Sequence, residues 1–255
     1  MIPYMGLLLP DHIQKIRSAE NILFLTGAGI SSESGIPTFR GDGGYWKKFK
    51  AEELATPEAF ATHPEVVWEW YDYRRNVCFE AKPNPGHLTI ANWQSHSKTV
   101  NLITQNVDGL HPRAGSKNLL EIHGNIFRAR CTSCDEKFSL SAEGMNQKGL
   151  KHCPSCESLL RPDIVWFGES YDNRLLTKAW EQSKQCHVVF VIGTSANVSV
   201  PSNLALTAIR NGALGIEINP ESTSLTPSMQ LHFAGKSGEI LPEIFKEVFP
   251  DTKQN

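Results

Sequence analysis

The sequence predicts an α/β fold, a doubly wound Rossmann-like parallel sheet domain that carries a second, smaller domain. Three observations predict it. Short apolar runs recur at residues 22–25, 100–103, 188–192 and 215–218, with the length and composition of parallel strands buried on both faces. Helical patterns lie between them, for example over 204–211, where Gly212 stops the helix; strands alternating with helices build a parallel sheet. Two stretches break the alternation. Residues 51–81 read as helical, with Pro64 at a helix start and Pro83 just past the end, and residues 126–161 are polar, turn-rich and hold four cysteines.

Both stretches read as insertions, which divides the chain into a sheet domain of 1–50, 82–125 and 162–255 and a small domain of 51–81 and 126–161. Open α/β sheets bind ligands beyond the carboxyl ends of their strands. The cleft between the sheet and the insertions is therefore the expected site.

Bulk properties narrow the function. A chain of 255 residues has room for one large domain with a smaller one inserted. The 25 Lys and Arg nearly balance the 27 Asp and Glu, for a net charge of -2, which argues against direct nucleic-acid binding through bulk positive charge. The apolar run Met5-Gly6-Leu7-Leu8-Leu9 is ended by Pro10 and Asp11, too soon for a signal peptide or a membrane span of roughly 18 residues. It reads as a segment packed on the domain, and a cytoplasmic, monomeric protein without membrane contact is the expectation.

Of six cysteines, Cys78 and Cys186 stand alone and four form Cys131-x2-Cys134-x18-Cys153-x2-Cys156. That spacing falls in the range of a zinc ribbon. Four thiolates complete a tetrahedral Zn²⁺ and leave no open position, so the site is expected to be structural, holding together an insertion too small for a core of its own. A redox role for either pair is the alternative. His152 adjoins Cys153, but no fifth ligand is required.

The first strand runs into Thr26-Gly27-Ala28-Gly29-Ile30-Ser31, where glycines let the backbone approach a pyrophosphate and a helix start offers free N–H groups. As a dehydrogenase fingerprint it is incomplete. Ser32 replaces the third glycine, and no acidic residue ends a strand about 20 residues later. A tight turn without a ligand remains open at this point. The run Gly27-Ala28-Gly29-Ile30-Ser31-Ser32-Glu33-Ser34-Gly35-Ile36-Pro37-Thr38-Phe39-Arg40-Gly41, continuing to Tyr45-Trp46, resembles the cofactor segment of the sirtuins, NAD-dependent protein lysine deacylases. Thr104-Gln105-Asn106-Val107-Asp108-Gly109-Leu110-His111, Ala114-Gly115, His123-Gly124, Gly193-Thr194-Ser195 and Asn219 follow in the order of that family, so the resemblance spans nearly the whole chain.

The resemblance implies NAD as a consumed co-substrate. It assigns cofactor contacts to Gly27, Ala28, Gly29, Ser31, Thr38, Phe39, Arg40, Trp46, Gln105, Asn106, Val107, Asp108, Gly193, Thr194, Ser195, Asn219 and Ser237. Ribose contacts by Ser195 and Asn219 would explain the missing acidic residue, and Phe39 and Arg40 would lie on a segment closing over the cofactor. In the family's reaction the acyl-lysine carbonyl oxygen attacks the ribose carbon that bears nicotinamide. A base then takes a proton from a ribose hydroxyl, and lysine and O-acyl-ADP-ribose are released. His123 matches that base, since an imidazole titrates near neutrality. Asn106 and Asp108 match groups that hold the nicotinamide amide and ribose and order a water, and both residue types also form turns.

Arg161-Pro162-Asp163-Ile164-Val165-Trp166-Phe167-Gly168-Glu169 resembles the family's substrate strand, whose main chain pairs with an acylated peptide. Val165, Trp166 and Phe167 would line the lysine tunnel. Tyr71 and Arg74, neighbours at i and i+3 on a helix, resemble the pair of the desuccinylase and demalonylase class, which also retains deacetylase activity. Arg can hold a distal carboxylate bidentately and Tyr adds a donor. Arg74 and Arg75 are adjacent, so one is expected to face the pocket and the other solvent. Protein mono-ADP-ribosylation from the same NAD site is the alternative activity, and a non-catalytic NAD sensor a third reading; retention of His123, Asn106 and Asp108 weighs against the sensor.

Overall fold

The computed structural model describes residues 6–37, 45–46, 49–140 and 149–251. Helix α1 (Pro10–Ser18) leads into β1 (Asn21–Thr26) and the short α2 (Ala28–Ser32). A hairpin of β2 (Tyr45–Trp46) and β3 (Phe49–Lys50) precedes α3 (Ala51–Leu54), α4 (Pro57–Thr62) and α5 (Pro64–Glu80). Then come α6 (Pro85–His96), β4 (Thr99–Thr104), α7 (Leu110–Arg113) and β5 (Leu119–Glu121). Strands β6 (Gly124–Cys131), β7 (Lys137–Ser139) and β8 (Leu160–Ile164) form an antiparallel sheet ordered β7-β6-β8. The chain finishes with α8 (Asn173–Gln185), β9 (Val188–Ile192), α9 (Ser199–Arg210), β10 (Leu214–Ile218), β11 (Leu231–Phe233) and α10 (Ser237–Val248).

Six strands make the large sheet, ordered β11-β10-β9-β1-β4-β5 and parallel throughout. Side chains alternate across a strand, and the cores record that parity. Ile22, Phe24, Val188, Phe190 and Ile192 enter one core with Ile16 of α1, Trp93 of α6 and Phe245 of α10. Leu23, Leu25, Val189 and Val191 enter the opposite core with Ala179 of α8 and Leu204 and Ala208 of α9. This is the doubly wound arrangement that the apolar runs predict. Leu8 is buried in the first core and the Leu7 and Leu8 amides donate to Glu247, so the amino-terminal segment does pack on the domain. No helix among the described residues is long and apolar enough to cross a membrane.

The differences from expectation have local causes. β5 and β11 lie at the two sheet edges with three residues each, too short to leave an apolar run. α9 starts five residues ahead of the expected 204, at Ser199, because Pro201 sits in the first turn, where a missing N–H breaks no helical bond. The helical stretch is three helices; Pro57 and Pro64 each open a new one, and the Thr56 hydroxyl caps α4 by accepting from the Ala59 amide at 3.1 Å.

A third core joins the two insertions: Phe60, Trp68 and Tyr71 from α4 and α5 pack with Ile126, Leu160 and Trp166. Trp68 Nε1 donates to the Leu160 carbonyl at 2.9 Å and Arg75 Nε to the Ile126 carbonyl at 2.8 Å. The expectation for the arginine pair is corrected here. Arg74 does line the cleft, but Arg75 is fully buried rather than solvent-facing. Positions 68 and 75 lie two turns apart on one helix face, both donate to carbonyls of the small sheet, and Arg75 also forms an ion pair with Asp72.

Trp93 is fully buried between Phe24, Phe190 and Phe245, with ring centroids 5.2 to 5.4 Å away. Trp93→Ala is expected to lower the unfolding free energy by about 3–5 kcal/mol in chemical denaturation; a loss below about 1 kcal/mol would contradict a shared core of α6, α10 and the sheet.

Candidate active site

β1, β4, β9 and β10 all open at their carboxyl ends into one cleft of about 910 Å³, lined by the loops that follow them. β1 lies between β4 and β9, so the chain winds outward in both directions from this point, the position at which open α/β sheets bind ligands. Two loops meet there backbone to backbone. The Gly27 amide donates to the Ile192 carbonyl at 2.9 Å and the Gly29 amide to the Gly193 carbonyl at 2.7 Å. A Cβ on Gly27 would stand 2.8 Å from the Gly193 oxygen, and one on Gly29 2.6 Å from Gly193 Cα. Gly193 has φ +58°, and its own Cβ would stand 2.5 Å from the Ile30 nitrogen. These glycines are needed to close the loops on each other, whatever the cleft then holds.

The floor of the cleft is a buried polar network. Ser31 Oγ donates to Asp108 Oδ2 at 2.7 Å, while Asp108 Oδ1 accepts the Leu110 amide at 2.9 Å. Asn106 Nδ2 donates to the Gly27 carbonyl at 3.0 Å and to Ser31 Oγ at 3.1 Å. Both hydrogens of that amide are thereby committed, so toward a ligand Asn106 has an oxygen acceptor to offer. Asp108 thus forms a turn as well as facing the cleft. Burial pushes its carboxyl up, against the Leu110 and Ser31 hydrogen bonds. Beneath it, burial pulls His87 down to about 4 and His111 well below the usual imidazole range, so both are neutral near pH 7. Their ring centroids lie 4.8 Å apart with the rings tilted by 56°, a pairing that spacing does not show, although His111 stands in the 104–111 motif.

His123 stands at the cleft wall. Its Nδ1 lies 3.0 Å from the Gln105 carbonyl, which can only accept, so Nδ1 carries the proton and Nε2 the lone pair. Burial draws its pKa below the ordinary value, opposed by the Gln105 bond. Gln105 also donates through Nε2 to Thr194 Oγ1 at 3.1 Å, and Asn219 Nδ2 donates to the Thr194 carbonyl at 2.8 Å. Ser237 Oγ bonds Glu33 at 2.8 Å. Ala28, Val107 and Ser195 line the same cleft. Of the remaining expected residues, Thr38, Phe39 and Arg40 lie outside the described residues, as does the side chain of Trp46 in β2.

Tyr71, Arg74, Val165, Trp166 and Phe167 line the cleft too. Tyr71 is buried and its oxygen accepts from Trp166 Nε1 at 2.8 Å, which leaves its own hydrogen for a ligand. Burial pushes this phenol up to about 12, so it stays protonated. The amides of Val165, Trp166 and Phe167 donate inward, to the His123 carbonyl, Glu169 Oε2 and the Ala55 carbonyl. Main-chain pairing with a peptide along this segment would therefore rest on its carbonyls and on Gly168. Tyr171, absent from the expected set, also lines the cleft and approaches His123; no motif surrounds it.

The four cysteine sulfurs lie within 4.8 Å of one another at the end of β6. Cys131 and Cys156 are 3.4 Å apart, and Cys134 is 3.7 Å from Cys153 and from Cys156. A disulfide needs about 2.05 Å, whereas tetrahedral bonds of about 2.3 Å to zinc place sulfurs roughly 3.8 Å apart. Each pair forms the same tight turn, with Asp135 and Glu157 at φ +58° and +61°. The donor set fits a closed, structural Zn²⁺. Metal analysis of protein purified without chelator is expected to give one zinc per chain, and stripping it to lower the melting temperature; less than half a zinc per chain would count against the site.

Comparisons with known proteins agree with this geometry. A family model described as the Sir2 family matches residues 27–200. The NAD-dependent protein deacylase of Leptospira interrogans is 49% identical over 238 residues, 93% of this chain and 94% of that protein. The one from Pyrococcus furiosus is 47% identical over 227 residues, covering 88% and 91%. Among solved structures, a Sir2 homologue in complex with NAD superposes with a TM-score of 0.87 at 42% identity over 95% of both chains. A Sir2 complex with a p53 peptide and NAD⁺ does so at 0.84 and 29% identity, over 94% of this chain and 98% of that one. With the cleft, His123 and the four-cysteine cluster in one fold, the chain belongs to the Sir2 family.

Proposed function

We propose that the protein is an NAD-dependent protein lysine deacylase that removes succinyl, malonyl and acetyl groups, releasing nicotinamide and O-acyl-ADP-ribose. The observation that carries the reading is the placement of His123 Nε2, its lone pair fixed by Gln105, in the same cleft as the glycine loops and the Tyr71 and Arg74 pair. The names of the relatives and the NAD complexes among the structural neighbours support NAD-dependent protein deacylation.

NAD, when bound, supplies a ribose carbon that loses nicotinamide and a ribose hydroxyl to be deprotonated. Glycines 27, 29 and 193 shape the turn that would face its pyrophosphate. Asn106, with only an oxygen to offer, would accept from the nicotinamide amide. His123 would take the ribose proton at Nε2, and its Nδ1–H would hold the ring in place. Tyr71 and Arg74 would receive the far end of the acyl chain. The phenol keeps its hydrogen free because its oxygen already accepts from Trp166, and a guanidinium can bind a carboxylate through two parallel bonds. Acetyl-lysine makes neither contact.

A panel of acyl-lysine peptides, assayed with and without NAD for nicotinamide release, tests the activity. Absence of NAD-dependent turnover on every peptide would defeat it, and product mass spectrometry would reveal ADP-ribosyl transfer instead. Arg74→Met should lower kcat/KM for succinyl-lysine peptide about 10- to 100-fold, the scale of a lost charge-assisted bond, and that for acetyl-lysine peptide less than about 3-fold; equal losses on both would overturn the acyl assignment. The base should also leave a pH signature. Protonation of Nε2 abolishes it, and burial lowers the pKa, so kcat/KM should keep most of its value at pH 7 and its acid limb should be centred below the ordinary imidazole value of 6.5. An acid limb centred above 6.5 would contradict that role.

A further inference from the structure

The base has a partner that comes from outside every motif in the chain. Tyr171 lies between β8 and α8, immediately before Asp172, whose carboxylate caps α8 by accepting the Arg174 and Leu175 amides at 2.8 and 3.2 Å. That cap fixes where the phenol starts. Its hydroxyl stands 3.1 Å from His123 Nε2, with the rings 5.6 Å apart and inclined by 40°. Since Nδ1 is committed to the Gln105 carbonyl, the neutral imidazole has one lone pair, on Nε2, and the tyrosine O–H is the donor to it. A general base works through that same lone pair. One lone pair takes one strong donor, so the tyrosine hydroxyl and the hydroxyl to be deprotonated exclude each other.

We propose that Tyr171 is a positioning residue for the base: it holds His123 Nε2 while NAD is absent, and its hydrogen bond is displaced by the ribose hydroxyl of NAD. The proposal rests on the deacylase reading with His123 as base. The exchange is donor for donor. The tyrosine O–H leaves Nε2, the ribose O–H takes its place, and the ribose proton then passes to Nε2, leaving the ribose oxygen as the nucleophile and the ring as imidazolium. Tyr171 keeps its own proton throughout. In the cofactor-free protein the phenol stands in for the ribose hydroxyl, keeping the imidazole plane in its working orientation at the cost of a bond that NAD must break.

The test is Tyr171→Phe, which keeps the ring and removes the donor. With NAD varied at saturating acyl peptide, the KM for NAD is expected to fall about 2- to 10-fold relative to any change in kcat, the scale of one neutral hydrogen bond no longer competing. A packing role alone would not move that ratio. In ¹⁵N NMR of the cofactor-free full chain, the His123 Nε2 resonance should shift toward that of an unbonded imidazole nitrogen in the variant. Tyr171→Leu, which also lacks the hydroxyl, should give the same two results and serves if the phenylalanine variant does not fold. An unchanged or higher KM for NAD, or an Nε2 resonance unaffected by the substitution, would overturn the proposal. If the unsubstituted protein turned over no acyl peptide, the deacylase reading would fall by itself, and the Nε2 measurement would still decide whether Tyr171 holds the ring.

Discussion

Where β1 and β9 end, two backbone loops touch with no side chain between them, and the rest of the cleft takes its position from that contact. Gly27 and Gly29 on one loop and Gly193 on the other leave no space for a Cβ. Because they close, α2 begins directly at Ala28 and delivers Ser31 to Asp108. Asn106, on the loop after β4, then reaches both Gly27 and Ser31. A larger residue at any of the three would have to separate the strands' carboxyl ends, and the polar floor would lose its geometry with them. The glycines therefore serve the protein before they serve a ligand, which is why a Gly-x-Gly pattern by itself says little about what is bound.

Legibility in the sequence followed burial. The four inner strands could be read because both faces are covered, so that β1, β9 and their neighbours are apolar at nearly every position. The edge strands β5 and β11 could not, because three residues at an edge carry no periodicity. Residues embedded in family motifs, such as Gln105 and Asn219, were found with their neighbours, and the cysteine spacing pointed to a cluster that the fold indeed brings together. What spacing could not reveal was which residue outside the motifs meets one inside them. His87 with His111, and Tyr171 with His123, meet only through tertiary packing. Arg75 was misplaced for a related reason: adjacency to Arg74 fixes the angle between the two side chains but not which protein surface each angle meets.

The two insertions share one core. The cysteine-bearing strands supply Ile126, Ala129 and Leu160 together with backbone carbonyls, and α5 supplies Trp68 and Tyr71. α5 then works on both its sides. Trp68 and Arg75 anchor it to the small sheet through the Leu160 and Ile126 carbonyls, while Tyr71 and Arg74 look into the cleft. Lys151, two residues before Cys153, closes onto Asp72 at 2.9 Å and lies 4.2 Å over the Trp68 ring. The helix that would read the acyl group is thus braced by the segment that would hold the zinc.

Gln105 draws two of these systems into one residue. Its backbone oxygen fixes His123, and its side chain holds Thr194, to which Asn219 is tied in turn. A substitution that moves Gln105 would therefore act on both Thr194 and the His123 ring. On the proposed roles cofactor preference and basicity would be linked traits, and changes at Thr194, Asn219 and His123 should combine non-additively. An evolving sequence would have to alter them together, a constraint on divergence that acts through one backbone carbonyl.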